Sequence, residues 1–316
     1  MIKAIAICGP TASGKTAISL ALAERLGAEI ISCDSMQIYR GMDIGTAKAT
    51  KDEMARVPHH LVDFLSPLEN YSTEQYRSAA LLLADEINKR GKIPLFVGGT
   101  GLYIDTLLRG ENTAVPESDE AFRAKILENV KTEEDAIRLW ERLRDCDPES
   151  SEKIHPNNVR RVIRAIEIFE KTGKPKSYFD KLSKEKPRDI EILMITFDFH
   201  SRETLYKKID ERVDKMIEDG LYDEVEGLYK AGLLRESTTA AQAIGYKEIV
   251  SAIKGEVTLT EAKEAIKLAT RRYAKRQLTW FRHTDSFRIM MDNEKGELRS
   301  GEEVLSEISE IIKYNF

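Results

Sequence analysis

The chain has 316 residues, 41% hydrophobic and 33% charged, with 18 glycines and 9 prolines, a composition that excludes a disordered, fibrous or disulfide-stapled protein. At that length, one large domain carrying an insertion, or two domains, is expected. The net charge of −5 excludes a protein that is basic all over, although an average can hide local basic patches.

The apolar runs 2–8 and 190–199 are strand-length and fall short of the roughly 20 residues a membrane helix needs, so no membrane partner is expected. No signal-peptide pattern precedes the first run, which points to a cytoplasmic protein. Cys8, Cys33 and Cys146 are odd in number and widely separated, which fits reduced thiols rather than a disulfide framework or a CxxC metal site.

Taken in chain order, residues 3–8 (KAIAIC) form a predicted strand that ends on glycine. Residues 17–26 carry apolar positions at helical spacing, with Gly27 as the C-terminal cap. Between them, Gly9-Pro10-Thr11-Ala12-Ser13-Gly14-Lys15-Thr16 matches GxxxxGK[ST] in the strand-loop-helix context that this phosphate loop requires. Its glycines let backbone amides close around phosphate oxygens, and the helix N-terminus adds a favourable partial charge. Lys15 is placed to neutralise the outer phosphate and the Thr16 hydroxyl to hold Mg²⁺, so a diphosphate or triphosphate is expected here.

Residues 29–33 repeat a strand signature, 59–64 a weaker one, and 93–97 (IPLFV) a strong one after the helical stretch 73–90. Strands alternating with helices imply a parallel sheet with helices on both faces. Asp34 follows the second strand, where doubly wound sheets form their ligand crevice, and could take a proton from an attacking amine. The blander reading makes it a turn or helix cap together with Ser35. The strand 93–97 runs into Gly98-Gly99-Thr100-Gly101, where a nucleotide hydrolase would carry a Walker-B carboxylate.

Residues 117–172 lose the strand pattern and read as helices over 119–130, 133–145 and 159–171, an all-helical insertion followed by a polar stretch at 173–188. The run 190–199 suits a buried strand returning to the first sheet. From 202 to the end the pattern is helical, with Leu205, Ile209, Val213, Met216 and Ile217 on one face. The expected fold is therefore α/β: a P-loop NTPase-like parallel sheet flanked by helices, with first core segment 1–114, helical insertion 115–188, and 189–316 supplying the last strand and C-terminal helices.

Two stretches are locally basic. Residues 155–176 hold Arg160, Arg161, Arg164, Lys171, Lys174 and Lys176 against Glu167 and Glu170. Residues 267–288 hold Lys267, Arg271, Arg272, Lys275, Arg276, Arg282 and Arg288 against Asp285, with Tyr273, Trp280, Phe281 and Phe287 interleaved. Such runs are often plain solvated surface, but cations with interleaved aromatics also hold unpaired RNA loops. The five histidines show no metal-ligand spacing and read as structural.

The sequence resembles the tRNA dimethylallyltransferases, also called tRNA isopentenyltransferases. The resemblance rests on six ordered motifs: GPTASGKT at 9–16, DSMQIYRGMDIGTAK at 34–48, VGGTGLY at 97–103, HPNNVRRVIRAIE at 155–167, QAIGYKE at 242–248 and RRYAKRQLTWFR at 271–282. It implies transfer of a dimethylallyl group from dimethylallyl diphosphate to the exocyclic N6 amine of the adenosine immediately 3′ of the anticodon in tRNA. The phosphate loop would then hold a prenyl diphosphate rather than ATP.

Carried onto this chain, the resemblance makes Asp34 the general base, with Ser35, Met36 and Gln37 reading the base. It assigns diphosphate and Mg²⁺ to Gly9, Pro10, Thr11, Ala12, Ser13, Gly14, Lys15 and Thr16. It also implies catalytic contacts from Thr100, with Arg212 as a second diphosphate clamp. The tRNA anticodon stem-loop would be gripped by Arg123, by Asn158, Val159, Arg160, Arg161 and Arg164, by Gln242, Gly245, Tyr246 and Lys247, and by Arg272, Lys275, Arg276, Gln277 and Trp280. A monomer is expected. From the residues alone, a small-molecule P-loop kinase and an RNA-binding NTPase stay open, and the VGGT turn in place of a Walker-B carboxylate weighs against both.

Overall fold

A computed structural model describes residues 1–108, 116, 119–185 and 189–316. The chain divides into two compact units, one formed by Met1–Leu108 with Ile190–Phe316 and the other by Arg109–Asp189. The expected boundaries at 114–115 and 188 fall outside the described residues.

The first unit opens with β1 (Ile2–Cys8), α1 (Lys15–Leu26), β2 (Glu29–Cys33), α2 (Lys51–Arg56), β3 (His59–His60), α3 (Thr73–Lys89), β4 (Pro94–Gly98) and α4 (Gly101–Leu108). The second unit contains α5 (Glu120–Leu127), α6 (Glu133–Cys146), α7 (Pro148–Lys153), α8 (Val159–Thr172) and α9 (Lys176–Glu185). The chain returns to the first unit through β5 (Ile190–Asp198), α10 (Arg202–Glu218), α11 (Leu221–Lys230), α12 (Tyr246–Ile253), α13 (Leu259–Arg282), β6 (Phe287–Met290) and α14 (Gly301–Asn315). Among the described residues, no helix is long and apolar enough to cross a membrane.

The sheet runs β3-β2-β4-β1-β5-β6 with every pairing parallel. Strand alternation divides its side chains between two cores. Ile5 and Ile7 of β1 pack with Leu20 and Leu22 of α1 and with α14, whereas Ala4, Ala6 and Cys8 face Tyr76, Ala80 and Ala84 of α3. Burying each large aliphatic side chain contributes about 1.5–3 kcal/mol, so these two layers fix which way every strand faces. Helix starts follow their capping residues: Ser72 with Gln75 opens α3, Thr258 with Glu261 opens α13 and Ser300 with Glu303 opens α14.

Two elements differ from the sequence expectation. The 287–290 segment, expected to continue a helical tail, is β6, so β5 is not the last strand. It pairs only with β5 at the sheet edge, and its exposed Phe287 and Arg288 mask the strand signal. The polar stretch after Gly173 also contains a helix, α9.

The second unit has its own core, in which Leu139 and Leu143 of α6 meet Val162, Ile163 and Ile166 of α8. Glu167 is buried within it and paired with Arg123 at 2.9 Å and Arg164 at 3.0 Å, while the Asp119 N–H donates to it.

Candidate active site

Parallel pairing sets three strand ends level. Cys8 at the end of β1 and Cys33 at the end of β2 both pair with Gly98 at the end of β4. The phosphate loop, the segment after Asp34 and the glycine turn therefore leave the sheet side by side, as expected for a ligand crevice. They line a cavity that includes residues 11–16, Asp34, Gln37, Arg212, Tyr273 and Gln277.

The phosphate loop turns sharply: Ala12 has φ +61° and Gly14 φ +84°, the left-handed region that a non-glycine residue rarely visits. Gly14 then caps α1 and presents its N-terminus to the cavity. The Lys15 ammonium folds onto its own loop, 2.6 Å from the Pro10 carbonyl and 3.0 Å from that of Gly9. Burial first, then the Arg212 charge, lowers Lys15 to about 8, with Asp34 opposing the shift. Both Lys15 and Arg212 feel the Asp34 charge, so the cavity sets two cations around one carboxylate.

Asp34 turns out to be both a cap and an available carboxylate. Its Oδ1 accepts the Met36 N–H at 2.9 Å, fixing the side chain in a local turn. Its other oxygen has no hydrogen-bond partner among the described residues, and Asp34 is one of the residues that line the cavity. Thr100 is hydrogen-bonded to the residue after Asp34: its hydroxyl accepts the Ser35 N–H at 3.1 Å and donates to the Ser35 hydroxyl at 3.4 Å. Tyr273, which sequence reasoning noticed only as an interleaved aromatic, lines the same cavity beside Thr100 and Gln277. Burial, then the Asp34 charge, pushes its phenol up to about 12, so it remains a donor. Its position one turn before Gln277 on α13 was a readable signal.

The buried thiols are inert. Burial pushes Cys8 up to about 12 and Cys33 well above its usual value, and Cys33 sits 2.8 Å from the buried Tyr76 hydroxyl.

Several residues expected to touch RNA have structural duties instead. Tyr246 is fully buried, and its hydroxyl donates to Glu224 at 2.6 Å. The same carboxylate accepts the N–H groups of Asp43, Ile44 and Gly45, so Glu224 and Tyr246 brace the loop that follows Asp34. A Cβ at Gly45 would meet the Tyr246 ring at 2.4 Å, which explains the glycine. Gly245 is buried too, its N–H donating to Glu248, whereas Gln242 and Lys247 are exposed. Gln37 lines the cavity, but its carboxamide is committed: Nε2 donates to the Thr46 and Ala47 carbonyls and Oε1 accepts from Ser32.

The basic stretches divide the same way. In the second unit, Arg123 and Arg164 neutralise buried Glu167, leaving Asn158, Arg160 and Arg161 exposed around the first turn of α8, with Val159 half-buried. Hydrogen bonds from Arg164, Asp119 and Arg123 outweigh burial and hold the Glu167 carboxyl below the usual range. On α13 and beyond, Lys267 pairs with Asp214, Arg271 with Asp210, and Arg282 with Asp198 at 2.8 Å. Arg288 adds a longer contact to Asp198. Arg272, Lys275 and Arg276 remain exposed without a carboxylate partner among the described residues. Gln277 is buried, and Trp280 is half-buried against Gly101.

Comparison with known proteins supplies the context for this arrangement. The family described as IPP transferase matches residues 37–284, and the one described as isopentenyl transferase matches 2–63. A tRNA dimethylallyltransferase of Thermoanaerobacter sp. (strain X514) is 47% identical over 90% of each chain. That of Geobacillus thermodenitrificans is 46% identical over 99% of this chain and 96% of its own. The crystal structure of a tRNA isopentenylpyrophosphate transferase from Staphylococcus epidermidis is 40% identical, covers 100% of both chains and superposes with a TM-score of 0.71. A eukaryotic dimethylallyltransferase solved acting on tRNA is 30% identical, with a TM-score of 0.77 over 92% of this chain and 74% of its own. With the phosphate loop, the Asp34 turn and the VGGT turn meeting in one cavity, and with matches that run through nearly its full length, the chain belongs to the tRNA dimethylallyltransferase family.

Proposed function

We propose that the chain transfers a dimethylallyl group from dimethylallyl diphosphate to the exocyclic N6 amine of the adenosine immediately 3′ of the anticodon in tRNA, releasing diphosphate. The observation that carries this reading is the cavity itself, where an anion-binding loop, two cations and a partly free carboxylate converge in a member of this family.

The allylic C–O bond breaks as the N–C bond forms, so positive charge develops on the prenyl carbon and negative charge on the leaving diphosphate. Loop amides, the α1 N-terminus, Lys15 and Arg212 stabilise that departing charge. The Lys15 ammonium must turn from the Gly9 and Pro10 carbonyls to reach a diphosphate oxygen, and Arg212 serves as the second clamp. The amine becomes acidic as its nitrogen takes up the new bond, and the free Asp34 oxygen accepts the proton. Thr100, bonded to the Ser35 N–H, holds the turn after Asp34 in place, and Tyr273 in the cavity wall helps to exclude water from the allylic carbon.

Mg²⁺ fits the donor set. Thr16 lines the cavity, and its hydroxyl has no partner among the described residues. That pattern suits an ion held by one protein hydroxyl, diphosphate oxygens and water rather than by a protein cage. When bound, it would neutralise diphosphate charge.

The acceptor base must leave a folded anticodon loop, at a cost of a few kcal/mol. Among the expected tRNA contacts, Lys247, Arg272, Lys275 and Arg276 in the first unit, and Arg160 and Arg161 in the second, are exposed cations available to RNA phosphates. The test is a mass assay with unmodified tRNA, Mg²⁺ and either dimethylallyl diphosphate or ATP. An adenosine heavier by one dimethylallyl group, formed only with the prenyl donor, is expected. ADP release with no change in RNA mass would replace this reading with a kinase.

A further inference from the structure

Gln277 reaches from the third turn-pair of α13 to two loops far away in sequence. Its Oε1 accepts the Thr11 N–H at 2.9 Å, and its Nε2 donates to the Gly99 carbonyl at 2.9 Å. The side chain is only 6% exposed, so it has no face to offer RNA. The fit is close: a Cβ on Gly99 would lie 2.1 Å from Nε2, and only glycine leaves the space. Both ends of the carboxamide are therefore used, one on each loop that borders the donor.

Thr11 immediately precedes Ala12, whose left-handed φ of +61° is the least favourable backbone conformation in the phosphate loop. A residue in such a conformation persists only where its surroundings hold it. The Gln277 carbonyl is a side-chain hold on that part of the loop, and the same carboxamide fixes the turn that carries Thr100. One helical turn earlier Tyr273 lines the cavity, and at Gly101 the Trp280 ring packs so closely that a Cβ would come within 2.6 Å. One face of α13 thus closes over the site while Arg272, Lys275 and Arg276 stay exposed.

We propose that Gln277 is a positioning residue for the transfer: it locks the phosphate loop and the glycine turn into one register and thereby sets donor affinity, without touching RNA. This rests on the reading of the loop as a diphosphate site. Removing the carboxamide frees the Thr11 N–H and the Gly99 carbonyl and lets the two loops shift independently.

Two variants test it. Gln277→Met keeps the volume and removes both hydrogen bonds. Gln277→Glu keeps the acceptor for Thr11 but, when ionised, cannot donate to Gly99. Binding of inorganic diphosphate with Mg²⁺ is measured by calorimetry and tRNA binding by filter retention, with a thermal melt to confirm folding. Gln277→Met is expected to weaken diphosphate binding at least about tenfold while tRNA affinity stays within about twofold. Gln277→Glu is expected to regain diphosphate affinity relative to the parent as pH falls from about 8 to about 5, because burial at this position raises the carboxyl above its ordinary value of about 4.3 and, once protonated, it can donate to Gly99. Should Gln277→Met not fold, this pH recovery decides alone. Unchanged diphosphate binding in both variants, or a loss confined to tRNA, would overturn the proposal. Failure of the parent protein to bind diphosphate would instead overturn the reading of the loop, and the role of Gln277 with it.

Discussion

Lys15 carries an electrostatic tension that only an anion relieves. Its ammonium is held among loop carbonyls and lowered to about 8 by burial and by Arg212. A bound diphosphate favours the charged form, so donor affinity should fall as pH rises through about 8, although the diphosphate itself gains charge over that range. Calorimetric titration with inorganic diphosphate at a series of pH values checks this, and rising affinity above that value would remove Lys15 from the anion site. Tyr246 is the opposite kind of residue, placed far from chemistry but tied to it through Glu224. Tyr246→Phe removes one hydrogen bond to a carboxylate, a loss of about 1.5–3 kcal/mol in melting experiments, with the loop after Asp34 as the segment that loosens. The phosphate loop, Asp34 and Thr100 were legible as candidate-site residues because they follow strand ends at motif spacing, whereas Arg212 lies inside α10. The duties of Tyr246 and Gln277 were not, because their partners lie 22, 178 and 266 residues away.

At the scale of elements, α13 shows why a basic run is a poor guide by itself. Its charge looked unopposed because the answering carboxylates, Asp210, Asp214 and Asp198, come from α10 and β5, more than 50 residues earlier. The structure separates cations that hold the fold from cations that face water. Neutralising Arg272, Lys275 and Arg276 together should weaken tRNA binding and flatten its salt dependence, with a slope change of up to about 0.7–0.9 per lost phosphate contact and little change in melting temperature. Arg282→Gln should do the reverse. It leaves Asp198, which is 4% exposed, without its bidentate partner and should cost up to about 3 kcal/mol of stability. If the two sets exchanged phenotypes, the division would be wrong. Elements were legible where burial is one-sided or complete, as in β1, β2, β4 and β5. The edge strand β6 escaped because Phe287 and Arg288 are both exposed, and α9 because its buried side includes Ser177 and Ser183 beside Phe179, so one-sided burial is not matched by apolar residues.

For the whole molecule, the relevant fact is that each unit has its own buried core. The second unit depends on Glu167, whose carboxyl is held below its usual range despite burial by Arg164, the Asp119 N–H and Arg123. A depressed carboxyl adds stability that is present above the unfolded value of about 4.3 and is lost as pH falls through the lower folded value. The second unit should therefore loosen in acid, below about pH 4, and Trp140, the tryptophan of its core, reports that fluorescence change. Glu167→Gln should remove that acid-sensitive part while lowering stability at neutral pH. Ile166→Ala, in the same core, should cost about 2–5 kcal/mol independently of pH. An acid transition unchanged in Glu167→Gln would assign the sensitivity elsewhere.

The proposed transfer assigns the proton to the second oxygen of Asp34, and the most direct measurement compares Asp34→Asn with the parent protein under saturating donor and tRNA. The asparagine oxygen can still accept the Met36 N–H, so the turn survives and only the proton acceptor is lost. Diphosphate and tRNA binding should stay within about threefold while kcat falls by about 10²–10⁴-fold. Turnover near that of the parent would contradict the assignment of Asp34 as the base and leave it as the cap of its own turn.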